Sequence, residues 1–190
     1  MKVSREQVAE NRRRILEAAG RLFRERGFEA VTVAEVMKAA GLTHGGFYGH
    51  FASKDDLIAA ALAEMVVAPG VEPVALAPYA ARYLSTVHRQ DCAGGCPVAA
   101  LGAETIRQSP KARAAMTEGL RRQIARLSAG TSGTAPEESR RAAIGSWAAM
   151  LGAMILARLS DDPDLSDEVL AETRAFIEER APAPAARSQT

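Results

Sequence analysis

An all-α fold is predicted by three features of this sequence. Its 47% apolar content is aliphatic, with only 5% aromatic residues, a mixture suited to packed helices. Apolar positions recur at three-and-four spacing, most of them behind Ser, Thr or Pro start signals. No segment alternates apolar and polar residues for long enough to read as a strand. With 190 residues the chain can bury one full core and a small satellite domain. The periodicity predicts about nine helices, over 5–26, 33–40, 43–50, 54–67, 75–91, 97–108, 110–129, 135–159 and 165–180.

Each element has its own signal. Ser4 with Gln7, Thr32 with Glu35 and Thr134 with Glu137 stand at capping-box spacing, and Ser53 and Ser109 can cap the helices that follow them. Pro110 suits a first helical position. Breaks are expected at Gly27, at Pro69, Gly70 and Pro73, at Gly94 to Pro97, and at Gly130 to Gly133. In the first helix Ile15, Leu16, Ala19, Leu22 and Phe23 form one stripe, with Arg12, Arg13, Arg14, Arg21 and Arg24 read as a solvated face. Val31, Val33, Val36, Leu42, Phe47 and Phe51 are expected to close that core, covered by Leu57 and Ile58.

The stretch GLTHGGFYGHF, Gly41 to Phe51, reads as the turn and second helix of a helix-turn-helix. With Gly41 as the turn glycine, Val36, Ala40, Leu42 and Phe47 fall inside, while Thr43, His44, Gly45, Gly46, Tyr48 and His50 face outward. That is the layout of a helix made for a DNA groove. Charge agrees: residues 1–54 hold 10 Lys and Arg against 6 Asp and Glu, whereas residues 55–190 hold 14 against 17. The expected organisation is a DNA-binding domain over 1–54 with its helix-turn-helix at about 32–51, a helical domain over 55–180, and a flexible Ala- and Pro-rich tail over 181–190.

In the C-terminal part, residues 142–157 are apolar all round and need two partner surfaces. Sixteen uncharged residues fall short of the roughly 20 that cross a bilayer, so a buried helix is expected and no membrane partner. Gly145, Ala149, Gly152 and Ala153 permit close approach of another helix. With Val169, Leu170, Thr173, Phe176 and Ile177 they are expected to form a four-helix homodimer interface. The opposite side carries Trp147, Met150 and Met154. Together with Tyr79, Tyr83, His88, Leu101, Met116 and Leu120 it is expected to line a largely apolar pocket.

Cys92 and Cys96 leave three readings open. They are inert thiols; or Cys96, at the start of a helix whose dipole favours the thiolate, senses oxidants or electrophiles with Cys92 as resolving thiol; or, with His88 at four-residue intervals, they are soft metal ligands. Gly94, Gly95 and Pro97 interrupt the helix that the metal reading needs, and no metal or other cofactor is expected. No catalytic nucleophile, metal or phosphate-loop constellation is visible, so the chain is read as a regulator, with a small helical enzyme as the remote alternative. Residues 1–11 lack the apolar core of a signal peptide, and a cytoplasmic location is expected.

The long basic first helix followed by RGFEAVTVAEVMKAAGLTHGGFYGHFASKDDLI resembles the tetracycline-repressor (TetR) family over roughly Ile15 to Leu62. The resemblance implies a homodimeric repressor that binds near-palindromic double-stranded operator DNA and leaves it when a small-molecule effector enters the apolar pocket of the C-terminal domain, which makes 55–180 the effector-binding and dimerisation domain. It also implies roles. Thr43 at the recognition-helix start, Tyr48, His50, Lys54 and the cap residue Thr32 are the expected backbone contacts, which position the protein on the duplex. Base reading falls to His44, Gly45 and Gly46. Here the chain departs from the family pattern, since no Arg, Lys, Asn or Gln lies between Gly41 and Phe51. Met37 is a second departure, large where a small residue usually lets two helices cross.

Overall fold

The computed structural model describes residues 4–66, 72–130 and 135–180. Those residues are helical almost throughout and contain no strand. Nine α-helices are α1 (Arg5–Ala30), α2 (Val33–Ala39), α3 (Lys54–Val66), α4 (Leu76–Tyr83), α5 (Thr86–Gln90), α6 (Pro97–Thr105), α7 (Pro110–Ala129), α8 (Pro136–Leu159) and α9 (Pro163–Arg180), with a 3-10 helix over His44–Gly49.

The chain divides into two compact units, each built from two stretches of sequence: residues 1–68 with 92–119, and 69–91 with 120–190. The first unit therefore reaches beyond the boundary expected at residue 54. Its core explains why. Ile15, Phe23, Phe28, Val36, Met37, Phe47, Phe51, Leu57 and Leu62 are buried together with Leu101 of α6 and Ala112 and Met116 of α7. Phe47 and Phe51 stack at 5.7 Å, and Phe23 meets Phe28 edge-on at 5.2 Å. Leu101 and Met116, expected at an effector site, are spent on this core.

Local chemistry sets the helix ends. Ser4 accepts from the Gln7 amide, Ser53 from that of Asp56, and Ser109 from that of Ala112. Thr32 and Glu35 form a reciprocal capping box at the start of α2. The expected Thr134 cap and the tail from Ala181 lie outside the described residues, as do Pro69, Gly70 and Gly133 among the expected breaks. α8 starts instead at Pro136, with Glu137 and Glu138 in its first turn. α1 runs on past residue 26 to Ala30 across a kink at Gly27, whose φ of 78° and ψ of 169° only glycine adopts readily. A Cβ there would lie 2.5 Å from the Glu104 carboxylate, which accepts from the Phe28 N–H at 2.7 Å.

The single helix expected over 75–91 is two. Ser85 accepts from the His88 amide and donates to the Arg82 carbonyl, so its hydroxyl replaces the backbone ladder and α5 starts afresh. In the second unit α8 and α9 form a helical hairpin, with Asp162 accepting from the Asp164 and Leu165 amides to cap α9. Arg158 donates to the carbonyls of His88 and Arg89, closing the C-terminal end of α5. α8 is long and apolar enough to span a membrane by length and composition. Its stripe of Ala143, Trp147, Met150, Met154 and Ala157 is nonetheless buried in the second unit.

Candidate nucleic-acid interface

α2, the turn at Gly41 and the 3-10 helix form the helix-turn-helix. The Gly41 N–H donates to the Lys38 carbonyl at 3.0 Å and the Leu42 N–H to that of Met37 at 2.9 Å, with Gly41 at φ 69°. This left-handed position is one a side chain rarely adopts, and the Arg14 guanidinium lies over it. The recognition segment was expected to be α-helical over 43–50 and is 3-10 over His44–Gly49. Three glycines in six residues account for the difference: α-helical hydrogen bonding does not repay their backbone entropy, and the short tight form suffices.

The segment is held from below and left open above. Phe47 is buried, whereas Thr43, His44, Gly45, Gly46, Tyr48 and Gly49 are exposed, Tyr48 to 71%. The Thr43 hydroxyl makes no cap bond, and a Cβ on Gly45 would meet nothing within 4 Å. Met37 is fully buried beneath the segment, its methyl 3.7 Å from where a Gly46 Cβ would stand. That separation is an ordinary van der Waals contact, so the larger Met is accommodated at the crossing without crowding Gly46.

Arg12 was read as part of a solvated face, and its placement is different. Its guanidinium donates to the His50 carbonyl at 2.9 Å and lies 4.3 Å over the Phe51 ring, tying α1 to the C-terminal end of the recognition segment. The signal was available: Arg12 precedes Ile15 and Leu16 by three and four positions and shares their stripe. Arg13 is engaged with Glu10 and Glu17, and Arg24 with the Ala93 carbonyl.

Two other expected contacts carry structural duties. The Thr32 hydroxyl bonds Glu35 twice, and the half-buried Lys54 donates to the Glu29 carbonyl at 3.5 Å. Hydrogen bonds from the Thr32 amide and hydroxyl, and the Arg26 guanidinium 2.9 Å away, hold the Glu35 carboxyl down at about 2. Lys111 likewise lowers Asp56, at the start of α3.

In the second unit the residues expected at an effector site fall into two groups. Trp147, Met150 and Met154 are buried on one stripe of α8, and Leu120 is half-buried on α7. Tyr79, Tyr83 and His88 form an aromatic ladder, the first two stacked at 5.8 Å and the last two edge-on at 4.5 Å. None of these residues lines the open cleft of about 390 Å³ beside α9, whose walls include Leu84, Thr86, Asp167, Arg174 and Glu178. Of the residues expected to face a second protomer, Gly145 and Phe176 are exposed and Ala149, Gly152, Val169 and Thr173 half-buried. Ala153, Leu170 and Ile177 are buried within the chain's own unit. Sequence reading passed over Ile144, Ile155, Leu156, Leu159 and Leu165, all exposed on α8 and α9, Leu159 to 77%. Their spacing along α8, with 144, 155 and 159 on one side, was the signal that could have found them.

Cys92 and Cys96 are half-buried thiols, the latter at the N-cap of α6. α5 ends at Gln90, so the continuous helix that would align His88 with both thiols does not exist.

Comparison with known proteins agrees with this geometry. The model of bacterial regulatory proteins of the tetR family matches residues 15–61. That of the C-terminal domain of LmrA/YxaF-like transcriptional regulators matches 74–170, just over half of the chain. The chain is 41% identical over 54 residues to the transcriptional regulator AcrR of Shigella flexneri, covering 28% of this chain and 25% of AcrR. It is 42% identical over 52 residues to the transcriptional repressor KstR2 of Mycobacterium tuberculosis, covering 27% and 26%. The match thus spans about a quarter of the length of these curated relatives. Among solved structures, E. coli NemR in its reduced form superposes with a TM-score of 0.70 at 25% identity, over 93% of this chain and 99% of that one. A TetR-family regulator from Agrobacterium tumefaciens gives 0.69 at 20%, over 93% and 100%, a likeness of fold alone. The relatives are transcriptional regulators and not enzymes.

Proposed function

This chain belongs to the tetR family of bacterial regulatory proteins, and on that premise we propose that it is a homodimeric repressor of near-palindromic operator DNA, released by a small, largely apolar effector. The observation that carries the reading is the recognition segment itself: six exposed residues, Thr43 to Gly46, Tyr48 and Gly49, anchored by buried Phe47 and braced by Arg12. Thr43 and Tyr48 offer hydroxyls to phosphates and Lys54 a charge, while His44 and the bare backbone of Gly45 and Gly46 face the bases. With no bidentate side chain in the segment, sequence preference leans on close backbone approach, on DNA shape and on the spacing of two recognition segments by the dimer. The exposed apolar face of α8 and α9 supports a two-fold interface that sets those segments about one turn of DNA apart, roughly 34–36 Å.

A gel shift of the full-length protein on the DNA flanking its own gene tests the reading, and absence of binding to any near-palindrome at low salt would refute it. Lys54→Ala weakens binding evenly across sequences, whereas His44→Ala changes base preference; if the two behave alike, the division of roles is wrong. A second reading, a sensor of oxidants or electrophiles acting through Cys96 with Cys92, is favoured by one observation: a similar structure, NemR, was determined in a form named reduced. It predicts that peroxide alters operator binding in the wild type and not in Cys96→Ser.

A further inference from the structure

Of the seven arginines on α1, four have partners within the first unit. Arg12 donates to the His50 carbonyl, Arg13 pairs with both Glu10 and Glu17, Arg24 donates to the Ala93 carbonyl, and Arg26 pairs with Glu35. Arg14 is differently placed. It forms no hydrogen bond or ion pair among the described residues. The two carboxylates within one turn of it on α1, Glu10 and Glu17, are both taken by Arg13. Arg5 and Arg21 also have no acceptor among the described residues, but both are exposed, whereas Arg14 is half-buried.

The turn of the helix-turn-helix is what covers it. Gly41 leaves open the space that a side chain would fill: a Cβ there would stand 2.6 Å from Nη2 of Arg14. The guanidinium therefore lies against the backbone that leads into the recognition segment, two residues before Thr43, whose hydroxyl makes no cap bond. A guanidinium presents N–H donors in a rigid fork that matches the oxygens of a phosphate. Partly withdrawn from water and left without an acceptor, its charge is uncompensated in the free protein and favours an incoming anion. We infer that Arg14 grips a backbone phosphate of the duplex beside the turn, a contact that each protomer makes in addition to those of Thr43, Tyr48 and Lys54. The inference rests on the DNA-binding reading above, and adds to it a charge that positions the recognition segment without reading bases.

Salt dependence separates a phosphate contact from a structural prop. Fluorescence anisotropy at stepped KCl follows the full-length wild type, Arg14→Gln and Arg14→Met on two duplexes, the DNA flanking the protein's own gene and an unrelated sequence of equal length. Removing the charge by either substitution lowers the slope of log affinity against log salt by about 0.9 for each protomer on the DNA, and does so equally on both duplexes. Arg14→Lys keeps the slope, because the charge remains. Arg13→Gln, an equal loss of charge one residue away on a guanidinium already paired, keeps it too. A slope unchanged in Arg14→Gln and Arg14→Met overturns the inference, and a melting temperature that falls while the slope holds makes Arg14 a prop of the turn. A slope lowered as much by Arg13→Gln also overturns it, since net charge and not a contact would then be read. If the wild type binds neither duplex at low salt, the DNA-binding reading fails as a whole; if it binds and only the Arg14 slopes stay at the wild-type value, that reading stands without Arg14.

Discussion

Glu35 and Gly27 show how single residues set the geometry of the reading head. The Glu35 carboxyl, lowered from the ordinary 4.5 to about 2 by the Thr32 amide and hydroxyl and by Arg26, stabilises the folded state above its ordinary value. That contribution is lost as pH falls from about 4.5 toward 2, because the unfolded chain binds its proton first. Urea midpoints of wild type and Glu35→Gln at stepped pH are expected to converge over this window, and a gap that stays constant would remove the carboxylate from the account. Gly27→Ala brings a Cβ into a glycine-only conformation and 2.5 Å from Glu104. It is expected to cost about 1–3 kcal/mol in chemical denaturation. At this scale the sequence was legible where a role repeats a local pattern, as in the Thr32 box or buried Phe47. It was opaque where the role depends on a distant partner: nothing near Gly27 announces Glu104, and the stripe that sets Arg12 apart from Arg13 says which face it shares without naming Phe51 or the His50 carbonyl.

Among the elements, those read most closely are the ones whose periodicity and caps agree, such as α2, α3 and α7. Two that differ most, the segment 75–91 and the recognition segment, carry competing chemistry. Ser85 splits the segment 75–91 by a hydroxyl-to-backbone bond that hydrophobic spacing does not reveal. Glycines convert the recognition segment from α to 3-10. A prediction follows at this scale: Gly45→Ala, whose new methyl meets nothing within 4 Å, stabilises the free protein by about 0.5–1 kcal/mol. On operator DNA the same methyl stands between backbone and bases, so affinity falls while the melting temperature rises. Both quantities moving in one direction would show that backbone approach at Gly45 is not part of recognition.

For the molecule as a whole, the proposed dimer gives the clearest expectation. Leu159 is 77% exposed within one chain, so Leu159→Glu is expected to change protomer stability by no more than about 0.5 kcal/mol. Placed in an apolar two-fold interface, it is expected to shift sedimentation toward monomer and weaken operator binding by more than about tenfold. A variant that remains dimeric would move the interface elsewhere. The all-helical class was legible from the sequence, whereas the composition of the first unit was not, because hydrophobic stripes on α6 and α7 do not name the core they join. That composition governs how the protein comes off the ribosome. Leu101, Ala112 and Met116 belong to the same core as the helix-turn-helix, so the DNA-reading unit cannot complete that core until Met116 has been synthesised. A nascent chain stalled at residue 68 would hold every residue of the recognition segment and still lack the side chains of α6 and α7 that complete the core it shares.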